Sequence, residues 1–205
     1  MIPINIACED PLSEAVALKI LKEGQRVFTV GAVYRKNGKT YLKQKVNGFN
    51  KASRGMPYLF LVDLDNDGCP PELINSWMGD QTKNPNFIFR VAVEEIEAWI
   101  LADIENFSSF IGVNTALIPS ESDTIHNPKE FLINLVKSSS KREIKASIIP
   151  SKNSTAKVGP NYNGKLIEFV NTRWSLTVAQ RRSKSLGKTI NAINSFTYQS
   201  AATNE

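Results

Sequence analysis

The sequence is poor in the residues that carry most zinc and nucleophile chemistry. Its 205 residues include one histidine, His126, and two cysteines, Cys8 and Cys69. The two cysteines lack the spacing of a zinc site, which predicts reduced thiols in the cytoplasm. His126 follows a polar stretch and precedes Asn127-Pro128, which indicates a surface position. No Gly-x-Ser-x-Gly motif is present to supply a serine nucleophile.

Membrane, export and nucleotide-binding signals are also absent. No apolar run approaches the roughly 20 residues of a transmembrane helix, and no basic stretch leads into an apolar one at the N-terminus. No Gly-x-x-x-x-Gly-Lys-Ser/Thr loop occurs, so ATP hydrolysis by this chain is not expected. A hydrophobic content of 41% is ordinary for a globular protein with a sizeable core. The sequence therefore predicts a cytoplasmic globular protein.

The charges are unevenly distributed. Residues 1–140 contain 14 Lys and Arg against 17 Asp and Glu, a net of −3, whereas residues 141–205 contain 11 against 3, a net of +8. The stretch from Tyr34 to Met56 has seven basic residues and no acid, and its three glycines predict a loop. Basic segments of this kind favour a polyanion as partner, although a solvated basic face is the simpler alternative.

Short apolar strands alternate with helical segments in the first part of the chain. We predict strands near residues 3–8, 25–33, 58–62 and 86–93, with helices starting at Asp10-Pro11 and Pro70-Pro71. This alternation predicts an α/β fold with a mostly parallel sheet flanked by helices. We predict a linker at residues 111–127 and helices at residues 128–136, 164–171 and 182–194. We therefore expect one domain at residues 1–112 and a mostly helical, basic part at residues 128–196.

The strand around which the chain is organised ends in acids. Five apolar residues, Tyr58 to Val62, precede Asp63, and Asp65 and Asp67 follow at alternate positions. Three carboxylates this close repel one another unless a cation or a shared proton lies among them. An acidic surface turn is the alternative, because Asn-Asp-Gly is good turn chemistry.

Acids follow two other predicted strands as well. Glu9 comes after the first strand, and Glu14 lies in the first turn of the next helix. Glu94 and Glu97 come after the fourth strand, where a helix should present both on one face. Because the carboxyl ends of parallel strands meet at one edge of a sheet, we expect these acids to gather there. Oxygen ligands suit Mg²⁺ or Mn²⁺, which can activate water for phosphodiester cleavage.

Two related motifs fit less well. Residues 63–68 match the first half of a calcium-binding EF-hand loop, but position 12 is Ile74 and a strand precedes the loop. Asp-x-Asp after an apolar strand is also typical of haloacid-dehalogenase-type phosphatases. Asp67 stands where that family has Thr, and Gly79-Asp80 is not followed by the second acid. A phosphatase of that type is the less favoured alternative.

Several short segments resemble the TOPRIM domain, the metal-binding domain of topoisomerases, primases and OLD-type nucleases. They are Ala7 to Glu14, Val62 to Asp65 and Glu97 to Asp103, and the pair Gly159-Pro160 with Ser183 to Leu186 resembles the C-terminal part of the group. The resemblance is to the small stand-alone TOPRIM-like proteins that often accompany an ABC-type ATPase in bacterial defence loci.

The resemblance implies a TOPRIM-like sheet and a Mg²⁺-dependent nuclease (Mn²⁺ being the substitute ion) that cleaves DNA or RNA. Glu9, Asp63 and Asp65 would then be catalytic, with Asp63 and Asp65 as metal ligands and Glu9 as a metal ligand or a proton carrier. Glu14 and Glu97 would be supporting ligands. The chain departs from the pattern in one place, since the glycine usual after the first Glu is Asp10 here. An ATPase partner is expected on the same ground.

Basic side chains are expected to hold the phosphate backbone. The residues we predict for this role are Lys43, Lys45, Lys51, Arg54, Lys152, Lys157 and Lys165. Nuclease domains of the resembled type also use a lysine near the scissile phosphate, and the last three lysines are the candidates. The alternative to a nuclease is a non-catalytic subunit that docks on an ATPase and on nucleic acid.

Overall fold

The computed structural model describes residues 1–35 and 38–199. Lys36, one of the seven basic residues between Tyr34 and Met56, lies outside the described residues. The chain divides into two compact units, residues 1–93 with the C-terminal stretch from residue 188, and residues 94–187. This division differs from the predicted 1–112 and 128–196. The C-terminal stretch bonds to the first unit, where Asn86 Nδ2 donates to Gln199 O at 2.7 Å.

The first unit is built on a four-stranded parallel sheet. Its strands are β1 Ile2–Ala7, β2 Phe28–Tyr34, β3 Tyr58–Asp63 and β4 Phe87–Ala92, in the order β2-β1-β3-β4. Consecutive strands are connected by the helices α1 Pro11–Glu23, α2 Gly38–Ala52 and α3 Pro70–Met78. The predicted α/β class, with a parallel sheet flanked by helices, is confirmed.

Helix α1 begins and ends where its sequence predicts. Asp10 is the N-cap, its Oδ1 accepts a hydrogen bond from Ser13 N at 2.8 Å, and Pro11 is the first helical residue. Gly24 follows the last turn. The apolar positions four residues apart are buried, namely Leu12, Val16 and Ile20. Asp10, the departure from the resembled pattern, is therefore used as a helix cap.

The stretch predicted as a loop, residues 34–56, is mostly helix α2, so that prediction was wrong. Leu42, Val46 and Phe49 recur at helical intervals and are buried. Gly48 is exposed in the middle of the helix, and a glycine there costs about 1 kcal/mol relative to alanine. Burying each of the three apolar side chains contributes about 1.5–3 kcal/mol. The apolar spacing therefore outweighs the glycines.

An aromatic cluster holds the helices of the first unit against the sheet. Phe60 on β3 is fully buried, and its ring centroid lies 5.6 Å from that of Phe49 on α2 and 6.4 Å from that of Trp77 on α3. Phe89 on β4 stacks edge-on to Phe60 at 4.8 Å. Such pairs add about 0.5–1.5 kcal/mol each beyond the area they bury. The cluster thus packs α2 and α3 against the sheet.

The second unit consists of short helices. They are α4 Ile96–Leu101, α5 Ile104–Ile111, α6 Pro128–Lys137, α7 Arg142–Ile148, α8 Tyr162–Thr172 and α9 Leu176–Ala179, and α10 Lys184–Asn194 continues into the first unit. The predicted helices at 128–136, 164–171 and 182–194 are thus confirmed within a few residues, whereas α7 and α9 were missed. The predicted linker contains two 3-10 turns. None of the helices in residues 1–35 and 38–199 is long and apolar enough to cross a bilayer.

The acids after β4 do not share a helix face, contrary to the prediction. Helix α4 begins only at Ile96, with Glu95 as its N-cap residue. Glu94 lies outside the helix with a positive φ of 60°. All six residues of α4 are buried, Glu97 among them. The apolar residues on both sides of Glu97 therefore draw it into the interior of the second unit.

Candidate functional site

Glu9 and Asp63 lie side by side at the carboxyl edge of the sheet. Strands β1 and β3 are neighbours and run parallel, with Ala7 paired to Phe60. Two residues past the end of β1, Glu9 Oε1 accepts a hydrogen bond from the backbone N–H of Asp63 at 2.8 Å. The prediction that these acids follow adjacent strands is confirmed.

The carboxyl group of Glu9 is partly withdrawn from solvent. Burial raises the pKa of Glu9 to about 7, although the hydrogen bond from Asp63 N–H lowers it. The negative charge of Asp65 raises the pKa further, and the positive charge of Lys39 lowers it. A carboxylate in this position is stabilised by any additional cation at the edge.

The loop after β3 turns back on itself and presents two acids. Leu64 N donates to Ala92 O at 2.8 Å, and Asp67 N donates to Leu64 O at 3.1 Å. Asp65 and Gly68 have positive φ angles of 50° and 69°. Asp tolerates this left-handed conformation better than most residues, and glycine adopts it freely. We call residues 64–68 the acid loop.

A lysine from α2 already supplies the acid loop with a positive charge. Lys39 Nζ lies 2.7 Å from Asp65 Oδ2 and 2.9 Å from Asp67 Oδ2, and it donates to Leu64 O at 3.1 Å. Burial lowers the pKa of Lys39, but its hydrogen bonds to the two acids outweigh this and the pKa is raised overall. The ammonium group thus stands among three oxygens, where a metal cation would find similar ligands.

A cavity of about 510 Å³ opens beside the acid loop. It is lined by Lys39 and Lys43 from α2, by Asp65 and Asp67, and by the indole of Trp77. Thr40 and Asn66 add neutral polar groups to these charges of both signs. The cavity is suited to a ligand that carries negative charge and approaches a cation.

The donors of the acid loop fit a hard cation, but the described geometry does not gather them around one. Within residues 1–35 and 38–199, no three His, Cys, Asp or Glu side chains are grouped so that they could hold a metal ion. Two of the predicted ligands form ion pairs with basic side chains instead. Asp65 pairs with Lys39, and Glu14 Oε2 lies 2.5 Å from Arg35 Nε. An ion held jointly by Glu9, Asp63 and Asp65 requires Lys39 to release Asp65.

Glu97 lies in the second unit and is buried, with 1% of its surface exposed. Its Oε1 accepts a hydrogen bond from Tyr162 OH at 2.9 Å and lies 3.5 Å from Lys129 Nζ. Its Oε2 is buried without a hydrogen-bond partner among the described residues. Burial raises the pKa of Glu97 to about 6, although the charge of Lys129 lowers it. Its role as a metal ligand stays a prediction.

The predicted phosphate-binding residues occupy several places. Lys43 lines the cavity beside the acid loop, Lys51 and Arg54 line a second cavity near the end of α2, and Lys45 is exposed on the same helix. In the second unit, three further lysines were predicted. Lys152 and Lys157 are exposed, whereas Lys165 is bonded to Glu143 and Glu168 at 2.8 and 3.0 Å.

Two important residues of the first unit were not singled out from the sequence. Lys39 appeared only as one basic residue among seven, and Asn50 was not considered. Asn50 is buried, and its side chain bonds both Thr82 O, at 3.0 Å, and Asn84 N, at 2.8 Å. The helical spacing of Leu42, Val46 and Phe49 was the available signal for both, because it places Lys39 in the first turn and Asn50 on the buried side.

Comparisons of the chain with protein-family models, with curated proteins and with solved structures found no match. The resemblance to TOPRIM domains therefore rests on the short segments quoted above. The fold that carries the acids is an α/β unit with a parallel sheet.

Proposed function

We propose that this protein is a metal-dependent nuclease that cleaves phosphodiester bonds of DNA or RNA. The observation that carries the proposal is the meeting of Glu9 and Asp63 on neighbouring strands, next to a loop that already binds a cationic group. Carboxylates after adjacent parallel strands occupy the edge where open α/β sheets bind their ligands. The half-buried carboxyl of Glu9 and the two paired acids of the loop are costly without positive charge nearby.

In this proposal Glu9, Asp63 and Asp65 would hold Mg²⁺ or Mn²⁺. When bound, the ion would supply an activated water and neutralise charge on the phosphate. Glu9 is oriented by the Asp63 N–H, which binds Oε1 at 2.8 Å, and no donor among the described residues bonds Oε2. Lys43, beside the same cavity, supports binding of a phosphate.

Lys39 has two roles in this proposal. Without metal it neutralises Asp65 and Asp67, which would otherwise repel each other. If Asp65 were a metal ligand, the Lys39 ammonium group, which already lines the cavity, would be available to bind a phosphate oxygen of the substrate. The ATPase partner remains a prediction from the resemblance alone.

A second candidate function is a nucleic-acid-binding subunit without catalytic activity. It is favoured by the same ion pairs, because Lys39 meets the charge requirement of Asp65 and Asp67 without any metal. In that case the acid loop is a structural turn, and the basic side chains of α2 bind phosphates.

The experiment that separates these functions is a cleavage assay on plasmid DNA and on RNA with Mg²⁺, with Mn²⁺ and with EDTA. The test variant is Asp63→Asn, and the matched control is Asp67→Asn, which removes the same charge from the neighbouring loop. A nuclease loses cleavage in Asp63→Asn and keeps most of it in Asp67→Asn. Binding without cleavage under every condition would favour the non-catalytic subunit, and turnover of a generic phosphomonoester would favour a phosphatase.

A further inference from the structure

Helix α2 spans the sheet from the acid loop to the opposite edge. At its first turn Lys39 bonds the acid loop, which follows the carboxyl end of β3. Near its last turn Asn50 bonds Thr82 O and Asn84 N, in the segment that leads into the amino end of β4. The strands between these edges have six residues each, or about 20 Å. The helix therefore links two distant edges of the first unit.

One side of α2 carries polar and basic residues at every fourth position. These are Lys39, Lys43, Asn47 and Lys51. A helix advances about 1.5 Å per residue, so the positions lie about 6 Å apart and cover about 18 Å. Lys45 is exposed on the same helix, but at about 100° per residue it falls about half a turn from the middle of this row. We call these four residues the α2 row.

The α2 row ends at a polar cavity of about 380 Å³ at the amino edge of the sheet. Three basic side chains, Lys51, Arg54 and Lys83, line it together with one acid, Asp80. The remaining lining is mostly amide and hydroxyl groups. Within the described residues none of these three cations forms an ion pair, and all three are exposed. We call this the distal cavity.

We propose that the distal cavity and the α2 row bind successive phosphates of a single nucleic-acid strand whose reacting phosphate lies at the acid loop. This deepens the proposed function and rests on it for the position of the reacting phosphate. Three cations against one acid, in a cavity of polar groups, favour an anion over an apolar ligand. The basic residues continue from the cavity to the acid loop, which favours a polymer of phosphates over a single small anion.

Asn50 is the positioning residue of the distal cavity. Its two hydrogen bonds hold the segment 82–84, and Lys83 of that segment lines the same cavity as Lys51 of the helix. Because Asn50 is buried, with 6% of its surface exposed, the connection is shielded from water. Asn50 thereby ties the segment that carries Lys83 to the helix that carries Lys51.

The test is a binding measurement by fluorescence anisotropy in EDTA, with labelled single-stranded oligonucleotides of 4 to 16 nucleotides. The test variant changes Lys51, Arg54 and Lys83 to Gln together. For the wild type, affinity should rise with length until the oligonucleotide spans the α2 row and the distal cavity, and then level off. The triple variant should bind the longer oligonucleotides at least about tenfold more weakly. Its salt dependence should be flatter by about two powers of the salt concentration, because three phosphate contacts are lost.

The matched control is Lys22→Gln, which removes one charge from an exposed lysine of helix α1 and should leave affinity within about twofold. Equal loss per charge in Lys22→Gln and in the triple variant would overturn the proposal, as would an affinity that does not depend on length. Thermal midpoints of all variants show whether they are folded.

Cleavage of bis-p-nitrophenyl phosphate with Mn²⁺ separates this proposal from the nuclease proposal. This small diester does not reach the distal cavity, so the triple variant should cleave it as the wild type does. If diester cleavage were normal and the triple variant bound oligonucleotides as the wild type does, only the proposal for the distal cavity and the α2 row would be refuted. The expected binding behaviour with no diester cleavage in any form would refute the nuclease proposal alone.

Discussion

Replacing Lys39 by Met tests the link between the acid loop and a metal ion. The change keeps a long unbranched side chain and removes the positive charge between Asp65 and Asp67. The side chains of the three residues are 23%, 41% and 49% exposed, so each ion pair is partly screened by solvent. Two such pairs and the hydrogen bond to Leu64 O stabilise the fold by about 1–2 kcal/mol together.

Without metal, the Lys39→Met variant should therefore unfold at a temperature roughly 2–8 °C lower than the wild type. Metal affinity should change in the opposite direction. The wild type must break the Lys39–Asp65 contact to bind an ion, and a cost of about 1 kcal/mol corresponds to about fivefold in the dissociation constant. Lys39→Met should bind Mn²⁺ about fivefold more tightly, which electron paramagnetic resonance of the free ion can measure directly.

Lys43→Met is the matched control for this prediction. Lys43 lies one turn further along α2 and lines the same cavity, but it forms no ion pair among the described residues. Its replacement should change stability by no more than about 0.5 kcal/mol. If Mn²⁺ affinity were unchanged in Lys39→Met, or rose equally in Lys43→Met, Asp65 would not be a metal ligand and the competition would be refuted.

Three further predictions test the acids and the helix assignment. Asp63→Asn should lower the rate of metal-dependent cleavage by orders of magnitude and raise the thermal midpoint measured without metal. Mn²⁺ should raise the thermal midpoint of this variant less than that of the wild type. Equal stabilisation of the two proteins by Mn²⁺ would exclude Asp63 as a ligand. Burial raises the pKa of Glu97 from 4.5 to about 6, so between these pH values the folded state keeps a proton that the unfolded state loses. The free energy of unfolding should therefore fall by about 2 kcal/mol as the pH rises from 4.5 to above 6. Urea unfolding of Glu97→Gln should lack this decrease, and an unchanged pH profile would contradict the burial argument. Gly48→Ala should stabilise α2 by about 0.5–1 kcal/mol, because no atom lies within 4 Å of the new methyl group. Gly68→Ala should destabilise the acid loop by about 1 kcal/mol, because φ is +69° at this position. If both thermal midpoints moved in the same direction, one of the two structural assignments would be wrong.

The parts of the fold that were predictable depend on neighbours in the sequence. The run Tyr58 to Val62 is a buried strand because five consecutive apolar residues need cover on both faces. Helix α1 follows from the cap at Asp10 and from Pro11, which act within one turn. The meeting of Glu9 and Asp63 followed from one further step, because the acids of neighbouring parallel strands share an edge.

The parts that were not predictable depend on competition between weak local signals. In residues 34–56, glycines and lysines indicated a loop while three apolar residues indicated a helix. The helix is stabilised by packing of Phe49 against Phe60, a residue of β3 that lies eleven positions further along the chain. Glu97 was read as a residue of a charged helix face, but every residue of its short helix is buried. Local charge patterns do not reveal whether both sides of a helix are covered.

The sequence by itself determined the four strands and the helices α1 and α3 of the first unit, the capped start of α1 and the edge at which Glu9 and Asp63 meet. These features result from periodicity and capping, which act over a few residues, and from the parallel direction of the strands. Only the tertiary structure decided which cation faces the acid loop. Lys39 and Asp65 are 26 positions apart, and their contact exists because the buried face of α2 fits the aromatic cluster in one register. That register also carries Lys51 and Arg54 to the opposite edge of the sheet.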